Sequence, residues 1–433
     1  MKREPEGNYL GPLVALQRRE ADYLASEQWR GMFYDMMAYA HSYVGNYAEA
    51  IAYFDKGQDK EKEPLKEVNS STLDHYSPKN ALDVIGTAAD KEQVVMINEL
   101  HHVPMHRAFT TQLLPILYAK GFRYLAVEGV NERDTQLNER GYPTYKTGLY
   151  PSEPIFGDML RTALKLGFKI VPYEYQGKCQ PKPDEPYFCP NERERGQAQN
   201  IYDRILREHP DAKILVHAGA GHIQEYRSKE VTIMAAHFRE ISKIDPFTID
   251  QSEMMEHSAP GYEEPDYRYA TRKGLIKEPT IFVSAQGDLW KNKGGQFGTV
   301  DAQVFHPRVS YQHGRPLWLR MKGLRQPGAV GRSVLQLSDK YVSSEASEML
   351  LVQAFVAGEA EGAVPIDQVV VSPSNRKPVL MLRKGAFRVR VIDESGKIRN
   401  EGKADASYIL YRRTRSTYIS CTGFNGTSVM VSR

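Results

Sequence analysis

The chain has 433 residues, of which 41% are apolar and 26% charged, with a formal net charge of +3. This length exceeds one ordinary core and points to two or three domains. So small a net charge gives no electrostatic reason to expect nucleic acid or an anionic membrane surface as a partner. No apolar run approaches the roughly eighteen residues of a membrane span.

The first ~30 residues lack the apolar stretch of a signal peptide, so the location is either cytoplasmic or, where an export signal has been removed ahead of Met1, periplasmic or secreted. Residues 1–70 read as a helical segment. Within it, GNYAEAIAYF (Gly45–Phe54) resembles half of a tetratricopeptide pair, and without a second copy it reads as a helical hairpin. Its helices are a candidate surface for a protein partner. The charged run Asp55–Glu67, with Gly57 and Pro64, reads as a solvated linker or frayed helix end.

From Ser71 the pattern changes to short apolar runs alternating with helix-length amphipathic stretches. The expected strands are Val94–Ile97, Arg123–Val127, Phe168–Tyr173, Lys213–His217 and Pro246–Ile249, with Thr280–Ser284 as a sixth. Helices are expected near 105–120, 156–166, 193–208 and 233–241. This alternation predicts an α/β core over 71–290: a mainly parallel sheet with helices on both faces. Cys179 and Cys189 share one proline-rich loop, where they are either a small disulfide in an oxidising compartment or two reduced thiols. Their spacing matches no common zinc pattern, and Cys421 is far off in sequence. Residues 291–433 read as an extension with a short helix near 346–358. From about 365 it becomes β-rich, in DQVVVS, PVLMLRKGAFRVRVID and ASYILYRR, with turns at Lys384-Gly385 and Ser395-Gly396.

The strand exits carry the chemistry. VVMI runs into Asn98-Glu99-Leu100-His101-His102, RYLAV into Glu128, FKIVPY into Glu174, KILVH into Ala218-Gly219-Ala220-Gly221-His222, and PFTI into Asp250-Gln251. In open α/β sheets, ligands bind just outside the carboxyl ends of the strands. Glu99 and His101 are two apart and point the same way on an extended segment, as an acid–base pair or a metal-binding pair. Glu174 and Asp250 read equally well as loop or helix-capping residues. His102, His106 and His217 read as structural, and Pro104 marks a helix start rather than a metal-binding face.

The segment NELHHVPMHRAFTTQLLPILYAKGFRYLAVEGV resembles the first signature of the superfamily of erythromycin esterases, ChaN-like haem-binding proteins and the Tiki/TraB group: a strand, Gly-Glu-x-His, a helix, a Gly-Phe turn and a strand ending in Glu. ILVHAGAGH resembles the second, a strand followed by Gly-x-x-His, and RERGQAQNIYDRIL resembles the helix before it. HGRPLWL and AVPIDQ resemble extensions found in some members. The resemblance covers about a third of the chain, Val94 to Ile249. It implies that Glu99, His101, Glu128 and His222 form the functional set, acting in catalysis or as ligands of a divalent Mn, Zn or Fe ion. It implies a hydrolase of the esterase or metal-dependent peptidase type acting on a small molecule or peptide, or else a haem- or metal-binding protein without turnover. Asn98 stands where the signature has glycine, and as a residue that tolerates positive φ it is expected to preserve a turn there. No Gly-x-Ser-x-Gly elbow is present, which disfavours an acyl-serine route.

Overall fold

The computed structural model describes residues 6–58, 71–295, 298–321, 331–337, 349–372 and 378–406. Four helices lead: α1 (Leu10–Arg18), α2 (Glu20–Leu24), α3 (Glu27–Tyr43) and α4 (Tyr47–Gly57). The α/β region follows as β1 (Tyr76–Asn80), α5 (Ala81–Ala88), β2 (Val94–Glu99), α6 (Pro104–Ala119), β3 (Phe122–Val127), α7 (Leu137–Arg140), α8 (Pro154–Leu166), β4 (Lys169–Pro172), α9 (Phe188–Ile201), β5 (Lys213–Gly219), α10 (Met234–Ser242), β6 (Phe247–Asp250), α11 (Pro265–Arg272), β7 (Thr280–Ser284) and β8 (Ala302–Gln303). The rest is β: β9 (Tyr311–Gln312), β10 (Arg315–Pro316), β11 (Ser333–Gln336), β12 (Leu350–Val356), β13 (Asp367–Val371), β14 (Val379–Leu382), β15 (Ala386–Ile392) and β16 (Ile398–Asp405).

The five central strands expected from the sequence form one parallel sheet in the order β4-β3-β5-β2-β6-β8. Their continuous apolar character has a direct cause, because both faces are covered. Val95, Ile97, Leu125, Val127 and Leu215 pack with α5, α6 and α8. Their alternates Val94, Met96, Ala126, Ile214 and Val216 pack with α9 and α10. The sixth strand is not the expected one. Thr280–Ser284 lies outside the parallel sheet and pairs antiparallel with β1, while the two-residue β8 takes the edge beside β6. Strand propensity identifies Thr280–Ser284 as a strand but does not say which partner it finds.

Helix α9 begins at Phe188, five residues before the expected start. Pro190 is tolerated there because the first turn of a helix has no intrahelical acceptors for its N–H groups. Cys189 is therefore helical. It is bonded to Cys179, with the two Cα atoms 5.6 Å apart.

The chain ends form one layer of packing. β12 is central in a four-stranded antiparallel sheet, β13-β12-β15-β16. The helix expected near 346–358 is thus strand over its described part, Leu350–Val356. That run is buried almost throughout and has no alternation to separate strand from helix. ASYILYRR, apart from Ala406, and Cys421 lie outside the described residues. The apolar side of α1 and α3 packs within the chain, Leu10, Leu13, Phe33 and Met37 clustering with Leu351, Val370 and Ile392 of the sheet. Helices α3 and α4 pack as one hairpin, as expected. Asp55 departs from the solvated-linker reading: it is buried and accepts hydrogen bonds from Ser258 N (2.8 Å) and Ser258 Oγ (2.6 Å), with His257 Nδ1 at 2.7 Å.

Candidate active site

The strand order decides where the functional side chains meet. The chain leaves β2, builds β3 and β4 on one side, then returns to insert β5 between β2 and β3. Such a reversal opens a crevice at the carboxyl ends of the strands. Glu99 is in register with Gly219, and Val127 with His217. The exits of β2, β5 and β3 therefore sit side by side.

Asn98 forms no turn. It is an extended residue of β2, and its amide nitrogen donates to Asp250 Oδ1 (2.7 Å), Ala220 O (3.0 Å) and Ser252 Oγ (3.1 Å). Its Oδ1 accepts from Gln251 N at 2.8 Å. A glycine here would lose all four contacts, which tie the exits of β2, β5 and β6 together. Asp250 belongs to this buttress and also accepts from Ser252 N (2.9 Å) and Glu253 N (3.2 Å), which fits the loop reading; no helix starts there to be capped.

Glu99 is buried and saturated with donors. Arg107, one turn into α6, clamps it with Nε to Oε2 (2.6 Å) and Nη2 to Oε1 (2.7 Å). The same guanidinium donates to Glu153 Oε2 at 3.0 Å and to the carbonyl of His101 at 2.8 Å. His101 Nδ1 lies 2.8 Å from Glu99 Oε1 and His217 Nε2 lies 2.8 Å from Glu99 Oε2. Burial opposes ionisation of Glu99, but Arg107 and the two histidines outweigh it and hold the carboxyl well below the usual range. An ionised Glu99 only accepts, so each histidine gives it an N–H. His217 then takes the hydroxyl of Thr110 on Nδ1 (3.3 Å). In the neutral tautomer that gives its Nδ1–H to Glu99, His101 presents the Nε2 lone pair on its other side.

That Nε2 lies against Gly219. A Cβ built on Gly219 would stand 2.7 Å from His101 Nε2 and 3.0 Å from Glu128 Oε2, so only glycine lets both approach. Glu128 accepts the Gly219 N–H on Oε2 and Arg193 Nη2 on Oε1 (2.8 Å). Burial pushes its carboxyl up, but His222, His101, the Gly219 N–H and Arg193 together pull it below normal. His222 Nε2 is 3.6 Å from Glu128 Oε1, and its Nδ1 is 2.7 Å from Glu194 Oε1. Burial disfavours the imidazolium of His222, yet Glu194 and Glu128 raise its pKa. Arg193 Nη1, 3.0 Å from His222 Nε2, works against them and favours a lone pair on that nitrogen. Arg193 also binds Glu174 through Nε (3.0 Å) and Nη2 (2.8 Å).

The four expected residues thus converge: His101 Nε2 and Glu128 Oε2 meet over Gly219, Glu99 lies behind His101, and His222 lies beside Glu128. His102 and His106 are structural as expected: His102 stacks on Phe54, and His106 Nδ1 accepts the Leu100 N–H at 3.0 Å. His217 is buried with both ring nitrogens hydrogen-bonded, which fits its structural reading, and one of those bonds adds it to the Glu99 cluster. Glu174 reaches the site's edge through Arg193. Sequence reasoning missed Arg107, Arg193, Glu194 and Tyr150, whose ring stacks on His101 at 3.7 Å. Arg107 had left a signal, a lone Arg in PMHRAFTTQLL, a stretch with no other Arg, Lys, Asp or Glu.

Among the described residues, no three His, Cys, Asp or Glu side chains are grouped to hold a metal ion. The donor set agrees, since guanidinium groups take both oxygens of Glu99 and one of Glu128, where a cation would meet like charge. The set as arranged does not fit a divalent ion.

No family model matches the chain, and no curated protein matches it. Among solved structures it is similar to the type III effector HopBA1, at 14% identity and TM-score 0.32, over 55% of this chain and 99% of the other. It is also similar to RRSP, a MARTX toxin effector domain from Vibrio vulnificus CMCP6, at 16% identity and TM-score 0.30, over 55% of this chain and 45% of the other. A third structure, described as bacterial protein toxins, aligns at 12% identity and TM-score 0.31, over 55% of this chain and 47% of the other.

Proposed function

We propose that the cleft at Gly219 is a hydrolytic site of the erythromycin esterase and Tiki/TraB type that acts by general acid–base chemistry on a carbonyl ester or amide. The observation that carries this reading is the meeting of His101 Nε2 and Glu128 Oε2 over Gly219, with His222 beside the other oxygen of the same carboxylate. His101 Nε2 takes a proton from water as the oxygen attacks the carbonyl carbon. Glu99, fixed by Arg107, holds the resulting imidazolium. His222, favoured as a cation by Glu194 and Glu128 once the substrate oxyanion draws Arg193 away from its Nε2, gives that proton to the leaving group as the carbon–heteroatom bond breaks, and the proton taken by His101 restores it through solvent. Arg193, its side chain 39% exposed at the rim, stabilises the oxyanion. No step is routed through a metal.

The test is a panel of p-nitrophenyl esters, lactones and peptides, assayed with the purified chain before and after chelation and scanned in the visible. His101→Ala and Glu128→Gln each lower kcat/KM by about 10²-fold or more without unfolding the protein. Wild-type rates in both variants contradict the reading. A Soret band in the untreated protein instead supports the haem-binding alternative.

A further inference from the structure

We propose that Tyr150 is the positioning residue for His101: its ring fixes the plane of the imidazole so that Nε2 faces Gly219 and Glu128. The consequence for turnover rests on the hydrolytic reading; the geometry does not. The Tyr150 and His101 rings lie 3.7 Å apart and 16° from parallel. The hydrogen bond to Glu99 fixes only one atom of the imidazole. A stacked ring removes the remaining freedom, which is the tilt that would carry Nε2 away from the glycine.

The seat of Tyr150 is constructed from several elements. Gly129, next to Glu128, has φ +76°, and a Cβ there would stand 2.6 Å from Tyr150 Cδ2, so the ring lies directly on its backbone. The carbonyls on either side are held by the N-terminal helical region: Tyr43 Oη donates to Leu149 O at 2.6 Å, and Tyr9 Oη donates to Ser152 O at 2.6 Å. Ser152 Oγ closes the turn on Gly148 O at 2.6 Å. The hydroxyl of Tyr39, on α3, hydrogen-bonds that of Tyr150, whose phenol is pushed up by burial and by nearby Glu128. Three tyrosines from the first 43 residues therefore brace a loop whose tip covers His101. An ordinary packing role would not require this, because Tyr150 is only half-buried.

The test reads His101 directly. In histidine-labelled full-length protein, stacking places the His101 ring protons upfield of free histidine, with the assignment made by their loss in His101→Gln. Tyr150→Leu moves them downfield toward the free value, whereas Tyr150→Phe leaves them in place. Gly129→Ala, whose Cβ displaces the ring at Cδ2, also moves them, so the outcome does not depend on one variant folding. With p-nitrophenyl acetate, Tyr150→Leu lowers kcat by up to about 10²-fold and leaves KM nearly unchanged, while Tyr150→Phe retains most of kcat. Unmoved His101 protons in Tyr150→Leu and Gly129→Ala overturn the proposal. The positioning role is upheld by a nuclear Overhauser contact between His101 Hε1 and Gly219 Hα that survives in Tyr150→Phe and is lost in Tyr150→Leu; that result in a protein that hydrolyses none of the panel removes the hydrolytic reading instead.

Discussion

The two halves of the candidate site are built on different physical terms. On the β2 side, Glu99, Arg107 and His217 are almost wholly removed from water, and every oxygen of Glu99 is shared between two donors. On the β3 side, Arg193 is 39% and Glu174 25% exposed. Buried charges hold one geometry because breaking a pair strands a charge; exposed charges are screened and rearrange at little cost. On the proposed hydrolytic reading, the first half fixes the base and the second half follows a substrate.

The largest expected effect breaks the first half. Arg107→Gln leaves Glu99 buried without its counter-charge and costs about 3–5 kcal/mol in denaturant melts at pH 7. Glu99 then titrates higher, so the deficit shrinks as pH falls and the carboxyl becomes neutral. A deficit under about 1 kcal/mol, or one independent of pH, breaks the comparison. Next is the Cys179–Cys189 bond, which closes a ten-residue separation between β4 and the first turn of α9, the helix that carries Arg193 and Glu194. Replacing both cysteines with serine costs about 2–3 kcal/mol on the loop-entropy account and speeds amide exchange in α9 but not in α6. Equal loosening of both helices contradicts a difference between the halves.

A third effect sits behind α6. Burial lowers His306 to about 3 and His102 to about 3, so both are neutral when folded and take up protons on unfolding below their ordinary value of 6.5. Their contribution to stability is complete above pH 6.5 and is lost progressively as pH falls toward 3. His306→Gln reduces the slope of stability between pH 6 and 4 by about 1.4 kcal/mol per pH unit; an unchanged slope contradicts burial in the neutral form. The smallest effect is at the exposed cation. Arg193→Gln changes stability by about 1 kcal/mol or less. It removes the positive charge opposing the His222 imidazolium, so His222 titrates at higher pH by NMR. A downward shift contradicts the arrangement described.

These differences bear on what was legible in the sequence. Runs such as VVMI and KILVH were readable because both faces of the sheet are covered and the chain shows it directly. Leu350–Val356, apolar without alternation, was not separable from a helix, and the two residues of β8 carry no pattern at all. Glu99, His101, Glu128 and His222 were legible because strand exits are positions fixed by the chain's own order. Arg107 and Arg193 come from helices, and which face a helix turns to the sheet rim depends on packing. His217 was within reach: it alternates with Val216 and Ala218, and so shares the face of Leu215 that looks toward α6 and α8.

On the proposed hydrolytic reading, His101 and His222 serve one reaction around the Glu128 carboxylate. A double-mutant cycle on ester hydrolysis tests it most directly, comparing His101→Ala, His222→Ala and the double variant by kcat/KM. Two groups acting in one proton-transfer sequence give a double variant no slower than the slower single one, because removing either already abolishes the concerted route. Losses that multiply would contradict the account and place the two histidines in independent roles.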